Sequence, residues 1–211
     1  MTEDHFVLAS GMHSGTYVNK DAVYPHTVAT SRLCCAIAER FADDGVEVVI
    51  APEKGGIILS QWVAYHLSII TGREVLAIYA EKEMVAISGP GGMGRACFLE
   101  TGNFVIRRGY DRLLLTQLAL VVEDVLTTGA SAVRTIEATM ACGAYLAGLG
   151  VLCNRGGLTS RQMGVPELFS LVDLPLDAWD EATCPLCKQG VPINTDVGKG
   201  RDFLARRASA R

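Results

Sequence analysis

The sequence predicts an α/β fold with a mainly parallel central sheet flanked by helices. Three observations predict it. Short apolar runs alternate with amphipathic segments through the middle of the chain. The runs close on proline, glycine or acidic residues. The amphipathic segments are long enough to be helices carrying the chain from one strand to the next. In such sheets ligands collect beyond the carboxyl ends of the strands. APEKGG, AEKE, EDVLTTGAS and NRGG all fall at that edge.

Residues 28–43, VATSRLCCAIAERFAD, place Leu33, Ile37 and Phe41 four apart, a helical stripe before Gly45. VEVVIAP follows as a buried strand closed by Pro52, and IILSQWVAYHL as a helix. EVLAIYAE and LALVVEDV are further strands, and SAVRTIEATMACG is a helix ending on a capping glycine. AYLAGLGVLCN is again apolar and bounded by turn residues. Residues 84–103, with their GPGG turn, leave the alternation and read as a long loop or a hairpin. The last part begins with CPLCKQGVP and ends in a basic tail, RDFLARRASAR. No internal repeat is visible, and one domain is expected, divided into segments at 1–27, 28–160 and 161–211.

At 211 residues the chain is long enough to bury a real core, and 49% apolar with 20% charged residues is ordinary globular composition. A net charge of −4 gives no basic field, so no nucleic-acid partner is expected and any anion must meet a local site. The acidic start, MTEDHFVLAS, has no signal-peptide core. The greasiest run, LLLTQLALVVEDVL, is broken by Gln117, Glu123 and Asp124 and is too short to span a bilayer. Five of the seven cysteines (Cys34, Cys35, Cys97, Cys142, Cys153) are scattered through apparent core segments. That usage fits buried thiols in a reducing, cytoplasmic setting better than a disulfide framework.

The most informative stretch is VVEDVLTTGAS, residues 121–131. The helix beginning near Ala130 offers free N–H groups and the positive end of its dipole. Gly129 admits close approach, and Thr127, Thr128 and Ser131 add hydroxyl donors. Glu123 and Asp124, at the strand end, can accept hydrogen bonds from neutral sugar hydroxyls, directly or through a metal. A phosphorylated sugar satisfies both halves. The alternative is a strand end followed by a helix-capping turn.

The full pattern of apolar run, two acids, two apolar residues and TTGxS resembles the donor motif of the type I phosphoribosyltransferases. The resemblance implies that Glu123 and Asp124 bind ribose hydroxyls. It implies too that Val125, Leu126, Thr127, Thr128, Gly129, Ala130 and Ser131 cradle the 5′-phosphate of phosphoribosyl pyrophosphate (PRPP). Three further segments resemble the orotate phosphoribosyltransferase family within that group. HFVLASGMHSGTYVNKD looks like its hood segment, with Phe6, Ser10, Gly11, Ser14 and Tyr17 in place. APEKGG resembles its pyrophosphate loop, putting Lys54 and Gly55 beside the leaving group, and VLCNRGG resembles the strand end where an arginine, here Arg155, meets the base. A guanidinium suits a planar carboxylate such as that of orotate. Thr127 and His13 are further base-side candidates.

The resemblance implies a small N-terminal hood, a C-terminal extension, a homodimer and a reaction that needs Mg²⁺. Diphosphate oxygens and waters, with Asp124 as a further ligand, are the hard donors that ion takes. Lys82 is the catalytic candidate on the covering segment. There the chain departs from the family: AEKEMVAISG has Glu81 and Val85 where cations are usual, and no histidine follows. Arg95, Arg107 and Arg108 are the remaining cations nearby. Relatives usually carry a helix ahead of the hood, whereas four residues precede His5, which implies a trimmed start or a late initiation site.

Cys184 and Cys187 have knuckle spacing and supply half of a Zn²⁺ site, but no second pair at such spacing exists. A plain turn is the competing reading. His66, on a predicted helix, reads as structural.

Overall fold

The computed structural model describes residues 2–8, 10–87 and 97–209. The chain opens with a hairpin of β1 (Thr2–Val7) and β2 (His13–Tyr17), followed by α1 (Thr27–Arg40). Next come β3 (Val48–Pro52), α2 (Gly55–Thr71), β4 (Leu76–Ile87) and β5 (Cys97–Val105). Then follow β6 (Leu118–Leu126), α3 (Ala130–Ala141), β7 (Tyr145–Asn154), α4 (Ser160–Met163) and β8 (Leu168–Asp173). The chain closes with α5 (Pro185–Lys188) and α6 (Gly200–Ser209), the latter formed by the basic tail.

Six strands make one sheet in the order β5-β4-β3-β6-β7-β8, parallel except for β4–β5. Both faces are covered, which explains the continuous apolar runs. Val48, Ile50, Ala119 and Val121 pack with Ala132 and Ile136 of α3. Their neighbours Val49, Ala51, Leu120 and Val122 pack with Ile37 of α1, with Phe41 just past its end, and with Leu59 and Val63 of α2. Each buried valine, leucine, isoleucine or phenylalanine among them contributes roughly 1.5–3 kcal/mol. Helix α1 lies close on β7: a Cβ at Gly150 would stand 2.6 Å from Ile37.

The expected elements are present with shifted ends. Helix α2 runs a turn past the expected leucine to Gly72, which takes the left-handed conformation of a C-cap. Of the two readings for residues 84–103, the hairpin holds. Strand β4 extends to Ile87 and pairs antiparallel with β5, with Met84 opposite Glu100. The Gly-Pro-Gly-Gly turn at 89–92 and Arg95 lie outside the described residues. The two chain ends pack together: the His13 and Trp179 backbones bridge, and the Asn194 amide donates to the His5 carbonyl at 2.8 Å.

The order reverses between β3 and β6. Strand β3 feeds outward to β4, and β6 returns on its other side, so the carboxyl ends of β3, β6 and β7 frame one crevice.

Candidate active site

Strand β6 delivers Glu123 and Asp124 to that crevice, 7% and 6% exposed. Successive side chains of a strand face opposite ways, and the two acids are split accordingly. Glu123 faces a cleft of about 460 Å³ lined also by Lys82, Val125 to Ser131, Glu100 and Arg134. The Asp124 Oδ2 turns the other way and accepts from Lys20 Nζ at 2.6 Å and Tyr24 Oη at 3.0 Å. Its Oδ1 accepts the Val125 amide at 2.7 Å.

These surroundings set the proton affinities. Burial, then the Asp124 charge, push the Glu123 carboxyl well above the usual range. For Lys20, burial works against the ammonium, but the Asp124 carboxylate outweighs it and its pKa is raised. Burial and Asp124 together push the Tyr24 hydroxyl up, so it donates and stays protonated.

The phosphate turn has the predicted form. Gly129 caps α3 at φ 76°, and a Cβ there would also meet Met163 Sδ at 2.8 Å, so two constraints require glycine. The N-cap, Gly129, has no side chain to cap the helix, Thr128 Oγ1 accepts only the Ala130 amide, at 3.4 Å, and no acid stands in the first turn, leaving the next amide donors toward the cleft. The turn is braced from β7. A Cβ on Gly156 would stand only 1.9 Å from the Thr127 carbonyl oxygen, which gives the glycine after Arg155 a backbone reason.

Arg155 is 3% exposed, one residue beyond β7. Its Nη2 donates to Ser14 Oγ at 2.5 Å, and Ser14 in turn donates to the Asp177 carbonyl at 2.7 Å. Its Nε has no partner among the described residues. Burial lowers the Arg155 pKa. A buried guanidinium with a free donor and no ion pair among the described residues is chemically suited to an anion.

The structure therefore brings Lys82, Glu123 and Val125 to Ser131 into one cleft. Lys54, Gly55, Asp124 and Arg155 are not among its lining residues. Lys54 is exposed at the start of α2, and a Cβ on Gly55 would stand 2.5 Å from Asp124 Oδ2 and 2.8 Å from Lys20 Nζ. The loop after β3 thus abuts Asp124 directly. Lys82 pairs with Glu100 across the hairpin at 2.9 Å. Of the other cations, Arg107 is exposed, while Arg108 is held by Glu81 at 2.6 Å.

His13 is corrected. It is fully buried with Nδ1 2.9 Å from His5 Nε2 and 3.3 Å from Cys187 Sγ. On β2 it faces away from its neighbour Ser14, so only the serine reaches the arginine. Sequence reasoning missed Lys20, Tyr24, Glu100 and Arg134. The polar Asn-Lys-Asp after β2 was the available signal for Lys20. Its partner lies 104 residues away.

No family model matches the chain. The orotate phosphoribosyltransferase of Desulforamulus reducens is 34% identical over 192 residues, covering 91% of this chain and 87% of that protein. That of Thermus thermophilus is 35% identical over 198 residues and covers 92% of each. Among solved structures, the orotate phosphoribosyltransferase of Aeropyrum pernix superposes with TM-score 0.56 at 24% identity, over 82% of this chain and 86% of that one. Adenine phosphoribosyltransferase from Thermoanaerobacter pseudethanolicus gives 0.55 at 18%, over 75% and 88%. At those identities the structures speak to the fold, which is that of the type I phosphoribosyltransferases. Taken with the two sequence relatives, each matched over most of its length, they leave one assignment: the chain belongs to the orotate phosphoribosyltransferase family.

Proposed function

We propose that the protein transfers the phosphoribosyl group of PRPP to orotate, giving orotidine 5′-phosphate and pyrophosphate in pyrimidine biosynthesis. The observation that carries this reading is the junction of β6 and α3. A buried acid and a helix start with free amide donors face one cleft of about 460 Å³. Ribose 5-phosphate needs both, for its hydroxyls and its phosphate.

In the reaction the C1–O bond to diphosphate breaks with its electron pair on the leaving oxygen. A bond from C1 to the orotate ring nitrogen forms, and that nitrogen loses its proton. The protein positions both reactants, neutralises the leaving group and excludes water. Thr127 to Ser131 hold the 5′-phosphate, Glu123 accepts from a ribose hydroxyl in the cleft, and Asp124 accepts from another on releasing Lys20 and Tyr24. Lys54 and Lys82 address the diphosphate, with Lys20 adding charge beside Gly55. Arg155 takes the orotate carboxylate through its free Nε, with Ser14 fixing the guanidinium plane. Thr127, which lines the cleft, is assigned to the base.

The cleft suits Mg²⁺. Its donors are carboxylate and hydroxyl oxygens, hard ligands with no thiolate or imidazole among them. Glu123 would hold the ion together with diphosphate oxygens and waters, and Asp124 would join them on releasing Lys20 and Tyr24. When bound, it supplies positive charge that stabilises the departing diphosphate.

The same reading takes the protein as a cytoplasmic homodimer. Helix α2 leaves Tyr65 and Ile69 51% and 66% exposed one turn apart, apolar surface that a second copy would cover. No helix among the described residues is long and apolar enough to cross a membrane.

The test is direct: protein, PRPP and Mg²⁺ are mixed with orotate, uracil or adenine, and nucleotide is followed. Product from orotate is expected. Donor binding with no product from any base would overturn the assignment of an enzyme.

A further inference from the structure

Four side chains that the transfer reaction does not use meet where the ends of the chain pack together. His5 Nε2 lies 3.6 Å from Cys184 Sγ and 3.7 Å from Cys187 Sγ, and Cys187 Sγ lies 3.3 Å from His13 Nδ1. The two imidazole nitrogens are 2.9 Å apart, and all four ligand atoms fall within 4.8 Å of one another. We propose that His5, His13, Cys184 and Cys187 form a structural Zn²⁺ site that clasps the C-terminal extension to the N-terminal hairpin.

The distances carry the argument. Zinc bonds of about 2.3 Å to sulfur and about 2.0–2.1 Å to nitrogen, at tetrahedral angles, separate N from S by about 3.5 Å and N from N by about 3.3 Å. The three N···S distances bracket that value, and only the imidazole pair sits closer. The donors are aimed as well as spaced. His5 Nδ1 lies 2.8 Å from the Val191 carbonyl, which can only accept. Nδ1 therefore carries the proton, and the Nε2 lone pair points into the cluster. A metal-bound histidine is oriented in this way by its outer nitrogen. On the cysteine side, the Lys188 amide donates to the Cys184 carbonyl and the Gly190 amide to that of Cys187, at 3.2 and 3.1 Å. Gly190, at φ 70°, completes the turn that sets both sulfurs on one side.

Burial and charge agree. His5 is 1% exposed, and His13 and Cys184 are fully buried. Two thiolates and two neutral imidazoles cancel the charge of Zn²⁺, so the loaded site buries no net charge. Mixed sulfur and nitrogen ligation at tetrahedral spacing selects zinc over the Mg²⁺ of the cleft.

The clasp has a route to the base side of the site. Ser14, the partner of Arg155, follows His13 directly on β2. One expectation alone rests on the proposed function: metal loss should raise the KM for orotate several-fold with the KM for PRPP unchanged.

Metal content of the full-length untagged protein, purified without added metal, tests the site independently of turnover. One zinc per chain is expected. Replacement by Co²⁺ should give the visible bands of a tetrahedral ion and thiolate-to-cobalt charge transfer in the near ultraviolet. Cys187→Ser and His5→Gln should lose the bound zinc, while Cys142→Ser, outside the cluster, keeps it. If the ligand variants fail to fold, the wild-type protein decides: a strong chelator should lower Tm, and zinc should restore it. Wild-type protein that holds no zinc, or whose Tm ignores chelator, overturns the site. So does a Cys184–Cys187 disulfide in the purified protein. Zinc with no phosphoribosyl transfer would leave the clasp standing and remove the enzyme reading alone.

Discussion

The β6–α3 junction and the clasp joining the two ends of the chain both gather groups suited to a charged ligand, yet they are encoded in opposite ways. At the junction eleven consecutive residues, 121–131, supply acids, hydroxyls, a left-handed glycine and a helix start. In the clasp, ligand atoms 3.6 Å apart come from residues 179 positions apart. A contiguous site is fixed by local backbone geometry and can be read along the chain. A distributed site exists only once the sheet has brought its pieces together.

The junction is broken most strongly through its acids. Asp124→Asn removes a charged acceptor for a ribose hydroxyl, and Glu123→Gln removes a buried carboxyl that accepts from another. Donor affinity should fall about tenfold to a hundredfold, the range of one charged hydrogen bond of roughly 1.5–3 kcal/mol. Calorimetric titration with PRPP measures it, and unchanged affinity in both variants would mean that the acids do not hold the ribose.

A smaller effect sharpens the link between the two regions. Ser14→Ala takes one hydrogen bond from the Arg155 guanidinium and should raise the KM for orotate several-fold with the KM for PRPP unchanged. Steady-state kinetics with each substrate varied in turn separates the two constants. A shift in the donor constant instead would place Ser14 on the wrong side of the site.

The smallest effect concerns pH. Glu123 is held above its ordinary 4.5 by burial and by Asp124, so the folded chain keeps a proton that the unfolded chain releases. Stability should therefore fall as pH rises from about 4.5 through the raised value. Glu123→Gln should flatten that slope. Urea unfolding across the window tests the sign, and stability rising with pH in wild type but not in the variant would reverse it.

Much of the fold was legible because it follows local rules. The runs VEVVIAP and LALVVEDV are apolar at every core position since both faces of the sheet are covered. Gly72 and Gly143, both at positive φ, lie just past the ends of α2 and α3. What was hidden depends on contacts between distant residues. Lys20 and Tyr24 meet Asp124 only because the segment after β2 folds back to the end of β6. His13 reads as a base-side residue because it falls in the hood segment, where a basic residue is expected, but strand alternation sends it and Ser14 to opposite faces. The zinc ligands were half visible, because Cys184 and Cys187 share a local spacing while their histidine partners sit on β1 and β2.

In the proposed function the junction secures a phosphoribosyl donor while Arg155 selects a carboxylated pyrimidine. Arg155→Gln tests it most directly when catalytic efficiency is measured with orotate and with uracil, the same ring without the carboxylate. Loss of a charged contact should lower the orotate efficiency about tenfold to a hundredfold and leave uracil unaffected, with PRPP binding intact. Equal losses for both bases, or no loss for orotate, would contradict it.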